Sequence, residues 1–166
     1  MDIVHDLQVI AHQERSLVFP QFHADETWQI GTQLREMALA RDAALVIDVR
    51  TFGRQLFFHV ALDGTVPSNA RFAERKARTV EHFQRSSYAI GLTLQQQNTT
   101  IADKYGFDPV SYAVHGGGFP LRVANAGVIG TVTVSGLPQR EDHQFVVEAL
   151  YTVLGQDFSA LSLGHA

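Results

Sequence analysis

Residues 44–61 read ALVIDVRTFGRQLFFHVA. Ala44–Val49 and Gln55–Ala61 are rich in β-branched and aromatic residues, and the short RTFGR segment between them carries Gly53. Two such runs joined by so short a glycine-bearing link predict a β-hairpin. Hairpin-linked strands are antiparallel neighbours, because parallel strands need a long crossover. The Leu62-Asp63-Gly64-Thr65 corner ends the second strand.

On the N-terminal side, Ile3, Val4, Leu7, Ile10 and Ala11 recur at helical spacing and predict an amphipathic helix within Met1–Ser16. Leu17–Phe22 is extended but broken by Pro20, which suits a connector or an edge segment. Asp25 is expected to cap a second helix running to about Arg41, with Glu26 in its first turn. Trp28, Gly31, Leu34 and Ala38 line one side of that helix.

On the C-terminal side, Ser68 or Asn69 offers an N-cap for a third helix, Ala70–Arg85. Ser86–Gln97 reads as a shorter helix interrupted by Gly91, and Asn98–Pro109 as a loop with one further helical turn. Val110–Val114 and Phe119–Val123 read as extended segments on either side of a histidine-glycine loop. Gly127 turns the chain into the strand Val128–Val134. Pro138 suits the first position of a last helix, where its missing N–H costs nothing. Phe145, Val146, Ala149, Leu150 and Val153 form that helix's core stripe. The tail after Gly155 has no pattern of its own and is expected to need a neighbour to order it. Helices before, between and after hairpin-linked strands predict one domain over residues 1–166, an antiparallel sheet with helices on its faces.

Composition narrows the function. The chain has 166 residues, is 45% hydrophobic and 18% charged, and carries a formal net charge of −4. That balance is typical of a globular protein, and with no basic run it argues against a nucleic-acid partner. No apolar run approaches the ~20 residues of a membrane span. The first residues lack the pattern of a signal peptide, and with no cysteine there is no disulfide, thiol nucleophile or thiolate metal site. A cytoplasmic location with no membrane partner is the expectation. The eight histidines, at 5, 12, 23, 59, 82, 115, 143 and 165, show neither His-x-x-x-His nor His-Glu-x-x-His spacing. A metal site preformed on one helix is therefore not expected.

Three constellations can carry chemistry. In the loop His115-Gly116-Gly117-Gly118, the glycines can bring backbone N–H groups to a ligand and His115 can act as acid, base, donor or axial ligand. The other reading is a glycine bulge with a packed histidine. The corner Ser135-Gly136-Leu137-Pro138 precedes helix N–H groups that have no intrahelical partner, so a carboxylate or phosphate could sit there. Ser135 or water could also satisfy them, and Glu141 and Asp142 already place negative charge in that turn. Third, Lys76 and Asp142 both intrude into apolar helical stripes. A lysine at such a position ordinarily snorkels to water; the sharper reading is a buried partner or a ligand anion. If the two helices cover the sheet, the pair is either a structural clamp or a ligand-facing couple. No Gly-x-Ser-x-Gly elbow supports a serine hydrolase, and Asp142 and His143, adjacent on a helix, diverge too widely for a dyad.

The segments LFFHVALDGTVPSNARFAERKARTVEHFQRSS, HGGGFPLRV and IGTVTVSGLPQREDH, in that order, resemble the haem-degrading-domain family, which includes HbpS-like, GlcG-like and PduO C-terminal-domain-like proteins. The HGG-x-FP and SGLPQ-x-x-DH signatures mark one branch of it. The resemblance implies a three-layer α/β/α sandwich around a profilin- or PAS-like antiparallel sheet of about five strands, and a homo-oligomer. Some members bind haem and are associated with its degradation; others are linked to cobalamin or glycolate operons.

Carried over by motif, the candidate site comprises His115 as the candidate catalytic residue. Its candidate ligand-binding residues are Asn69, Arg75, Lys76, Gly116, Gly117, Ser135, Gly136, Asp142 and His143. A haem would be non-covalent, with His115, His59 or His82 as its axial ligand. The expected function is binding of a small ligand, either haem or a small anion such as phosphate or carboxylate. The alternative is a non-enzymatic assembly or sensor module.

Overall fold

The computed structural model describes residues 2–164. Six α-helices surround an open five-stranded sheet of order β1-β4-β5-β2-β3 among the described residues. In chain order the elements are α1 (Ile3–Ser16), β1 (Val18–Phe19), α2 (Ala24–Ala40), β2 (Val46–Thr51), β3 (Phe57–Ala61), α3 (Pro67–Phe83), α4 (Ser87–Gln96), α5 (Ile101–Tyr105), β4 (Gly118–Val123), β5 (Gly127–Ser135) and α6 (Gln139–Val153). A 3-10 turn follows at Ser159–Leu161. No described helix is long and apolar enough to cross a membrane.

The hairpin forms as read, with Ile47 opposite Val60 and Val49 opposite Phe58. The central pairs β2–β5 and β4–β5 are antiparallel. The sheet is nevertheless mixed, because β1 runs parallel to β4, pairing Val18 with Arg122 and Phe19 with Val123. With β1 this short, Pro120 falls where β4 has no neighbour on that side, a position that tolerates a missing N–H.

Period-two alternation divides the sheet into unlike faces. Ile47, Val49, Phe119, Leu121, Val132 and Val134 point into the main core against Ile30, Leu34, Phe145, Val146 and Leu150 of α2 and α6. Gly31 lets α2 close on β3, since a Cβ there would meet the Phe58 ring at 2.3 Å. Truncating a fully buried residue such as Leu34 to alanine would cost about 2–5 kcal/mol. The opposite face carries Asp48, Arg50, Thr131 and Thr133, all buried, beneath α3. Arg50 grips the fully buried Asp48 with two bonds of 2.5 and 2.7 Å and reaches Glu74 of α3 at 2.7 Å. A polar layer, rather than a second apolar core, therefore joins α3 to this part of the sheet.

Several expectations are corrected. Helix α2 starts one residue before Asp25: His23 is its N-cap, and the Glu26 carboxylate accepts from His23 N–H at 2.6 Å. Trp28 is 65% exposed and leans edge-on against Phe58 instead of joining the core. Helix α3 begins at Pro67, with Val66 as its cap; Asn69 lies in the first turn and its Oδ1 accepts from Val66 N–H at 2.8 Å. Val110–Val114 forms no strand. Its backbone is held by α3 instead, with Ala113 N–H donating to Arg75 O and Thr79 Oγ1 donating to Ala113 O. The tail up to Gly164 is tied down by its own chain: Gln13 Nε2 donates to Leu161 O, Leu163 N–H donates to Gln144 Oε1, and Leu163 is buried. His165 lies outside the described residues.

Candidate functional site

The loop before β4 is shaped by what it passes. Gly117 has φ +116°, a region that disfavours side chains, and a Cβ there would lie 2.4 Å from Val134 O and 2.8 Å from Lys76 Nζ. At Gly116 a Cβ would lie 1.8 Å from Gln139 O. The two glycines thus let the loop press against the end of β5 and the start of α6. Ser87 Oγ fixes its other side, donating to His115 O at 2.5 Å and accepting from Gly118 N–H at 3.0 Å.

Lys76 and Asp142 lie behind that loop, each 2% exposed. Lys76 Nζ donates to Asp142 Oδ2 at 2.8 Å and to Val134 O at 3.0 Å. Asp142 also accepts from Leu137 N–H at 3.0 Å and from Gly136 N–H at 3.4 Å. The corner ahead of α6 is therefore satisfied by a carboxylate of the helix itself, which takes the Gly136 N–H that the sequence offered to a ligand. Burial pulls the Lys76 ammonium below the usual lysine range and lifts Asp142 above the usual carboxylate range; their mutual attraction offsets only part of each shift.

A cavity of about 210 Å³ opens beside this pair, lined by Asn69, Phe72, Lys76, His115, Ser135, Gly136, Leu137, Gln139 and Asp142. Six of the ten residues singled out in the sequence meet here: Asn69, Lys76, His115, Ser135, Gly136 and Asp142. His115 stands at the rim, edge-on to Phe72 with ring centroids 5.5 Å apart. Partial burial, then the charges of Lys76 and Arg75, lower its pKa, so the imidazole is neutral near pH 7. Phe72 and Gln139 were not singled out. Phe72 lies one turn before Lys76 on α3, and that spacing is the signal that places it on the same face.

The remaining four lie apart from the cavity. Gly116 and Gly117 form the loop behind it. The Arg75 guanidinium lies over the Phe72 ring and donates to Pro109 O at 2.5 Å, on the outer side of α3. His143 is buried on the far side of α6, between Tyr88 and Phe119, with Nε2 2.9 Å from Gln13 Oε1. The Gln13 amide nitrogen is committed to Leu161 O, so its oxygen accepts and His143 Nε2 carries the proton. His143 Nδ1 is buried without a partner, and burial followed by the Arg140 charge lowers the pKa to about 3.

A haem does not fit beside His115. The cavity is below the ~300–1,000 Å³ typical of pockets for drug-sized molecules, and its floor is an ion pair rather than an apolar slot. His59 is part-exposed on the edge strand with Nδ1 3.0 Å from Asp48 Oδ2, and His82 is exposed on α3 with its ring edge-on to Phe83, Phe107 and Tyr112. A larger cavity of about 800 Å³ runs between α6 and the tail, and among the described residues no histidine lines it.

The family model described as "Haem degrading protein HbpS-like" matches residues 22–151. A UPF0303 protein of Paraburkholderia xenovorans strain LB400 is 61% identical over 166 residues, covering 100% of each chain. One from Burkholderia thailandensis is 59% identical over the same length and coverage. Among solved structures, Ybr137w superposes with a TM-score of 0.82 at 24% identity, covering 90% of this chain and 87% of that one. A PduOC:heme complex superposes at 0.67 with 14% identity, covering 80% and 94%. These two structural likenesses share the fold. By a match over most of its length and by relatives of this identity, the chain belongs to the HbpS-like family.

Proposed function

We propose that this chain binds a small anionic ligand, a carboxylate or phosphate, in the cavity beside His115. The observation that carries the reading is the convergence of Asn69, His115, Ser135 and Lys76 on one space of about 210 Å³. The Asn69 amide N–H can donate to a ligand oxygen while its Oδ1 accepts from Val66 N–H. His115 Nδ1 or Nε2 adds a donor without a fixed charge, and Ser135 a hydroxyl. Lys76, paired with Asp142, is part of the same lining. The start of α6, lying against the same cavity through Gln139, adds the partial positive charge of a helix N-terminus.

Calorimetric titration with phosphate and with acetate, at fixed ionic strength, tests this. Saturable binding that weakens by about tenfold or more in His115→Ala and in Asn69→Ala is expected, since lost bonds to a charged ligand are worth roughly 1.5–3 kcal/mol each. No saturable binding of either anion, or equal affinity in both variants, would contradict it.

A second reading, a homo-oligomeric assembly module, is favoured by the edge strand β3. There Phe57 is 50% exposed and Trp28 stands close by, exposed, on Phe58. Sedimentation of the wild type and of Trp28→Glu/Phe57→Glu distinguishes the two: assembly through this edge predicts a drop in molecular mass in the variant.

A further inference from the structure

We propose that Lys76 is a carbonyl-reactive residue that forms a reversible imine with a small 2-oxo acid or aldehyde acid entering the cavity beside His115. This rests on the small-anion reading above and names the substrate class: a carboxylate for the pocket and a carbonyl for the lysine.

Lysine usage gives the first argument. The chain has 13 basic residues, of which eleven are arginines and two are lysines, Lys76 and Lys104. Lys104 is on the surface, with Nζ bonded to Gln97 Oε1. The buried pair of this chain therefore uses lysine where the ion pairs of Arg41, Arg50, Arg54, Arg78, Arg85 and Arg140 use arginine. A purely structural clamp is served as well by a guanidinium, which holds carboxylates bidentately; only the amine can give up its proton and become a nucleophile.

The geometry gives the second. Lys76 is among the residues that line the cavity, and its Nζ lies between Asp142 Oδ2 and Val134 O. Its proton acceptor, Asp142 Oδ2, is 2.8 Å away, and the other carboxylate oxygen is pinned by Leu137 N–H. Burial moves both partners toward their neutral forms, and the proton has only a 2.8 Å hydrogen bond to cross. The cavity equals about seven waters at ~30 Å³ each. That suffices for an acid of three or so carbons.

The chemistry closes without an oxidant or metal. Asp142 accepts a proton from the ammonium, and the neutral Nζ attacks the carbonyl carbon. The C=O π pair moves to oxygen, which takes the proton held by Asp142; the freed carboxylate then removes a proton from the cationic nitrogen, giving the neutral carbinolamine. Asp142, protonated by that step, gives its proton to the hydroxyl; water leaves as the nitrogen lone pair forms C=N, and the carboxylate takes the remaining proton from the iminium nitrogen. Amine and carbonyl are converted to imine and water, with no net redox change.

The test is borohydride trapping of the whole protein with glyoxylate or pyruvate, read by intact mass and peptide mapping, with acetate binding measured in parallel. Lys76 should gain the mass of the acid less one oxygen, about tenfold or more over the exposed Lys104 in the same chain. Acetate should suppress the adduct, and Lys76→Arg should abolish it. Because Lys104 is an internal control, the comparison stands even if Lys76→Arg fails to fold. Equal labelling of both lysines overturns the proposal. Saturable binding of pyruvate and acetate with no Lys76 adduct overturns the imine and leaves the anion pocket standing. Absence of both binding and adduct overturns the two together.

Discussion

Lys76 of α3 and Asp142 of α6 meet at 2.8 Å across the end of β5, although 66 positions separate them and each is 2% exposed. The pair joins helices from opposite faces of the sheet, and the backbone of Val134, Gly136 and Leu137 is hydrogen-bonded to it. Lys76→Met and Asp142→Leu should each destabilise the fold by about 3–5 kcal/mol, because each strands a buried charge, while the double variant should cost much less than their sum. Denaturant unfolding of the four proteins checks this. Additive losses would contradict the pairing.

Gly117 faces the same pair from the loop. Gly117→Ala combines a φ of +116° with a Cβ 2.4 Å from Val134 O, so backbone must move. A loss of about 2 kcal/mol or more is expected, read as a fall in Tm, together with weaker ligand binding. Gly106→Ala, with φ +69° but nothing within 4 Å, is the control: strained but uncrowded, it should cost less.

Much of this arrangement was legible in the sequence. The hairpin over Val46–Ala61 followed from its β-rich halves and short glycine turn, and the α6 stripe from its helical period. Strand β1 was legible only as an edge segment, since two residues carry no period and its direction depends on where β4 arrives. Val110–Val114 looked extended because valine and tyrosine favour strands, yet its backbone partners come from α3. Lys76 stood out as an intruder, but helical period cannot distinguish a snorkelling lysine from a buried one; only the position of Asp142 does. His143 shared a motif with Asp142, and a turn of about 100° per residue sent it to the other side of the helix.

His143 makes stability depend on acid. Its pKa in the folded protein is about 3, below the ordinary 6.5, so the unfolded chain binds a proton that the folded one refuses. Its contribution is complete above about pH 6.5 and is lost as the pH falls toward 3, by about 1.4 kcal/mol per pH unit. His143→Gln should flatten the stability profile between pH 6.5 and 4. A slope unchanged from wild type would show that His143 is not the group responsible.

Haem titration separates the cavity from the family's name. Because the space beside His115 is too small for a tetrapyrrole, any Soret band that develops should be the same in wild type and His115→Ala. A band that shifts or weakens in the variant would make His115 an axial ligand and contradict the fit.

A small anion is expected to occupy the cavity between Asn69, His115 and Lys76. A high-resolution crystal structure grown with acetate, with its counterpart grown without, measures this directly. A carboxylate within hydrogen-bonding distance of His115 and Asn69, present only in the first, is expected. A cavity holding ordered water alone in both would contradict it.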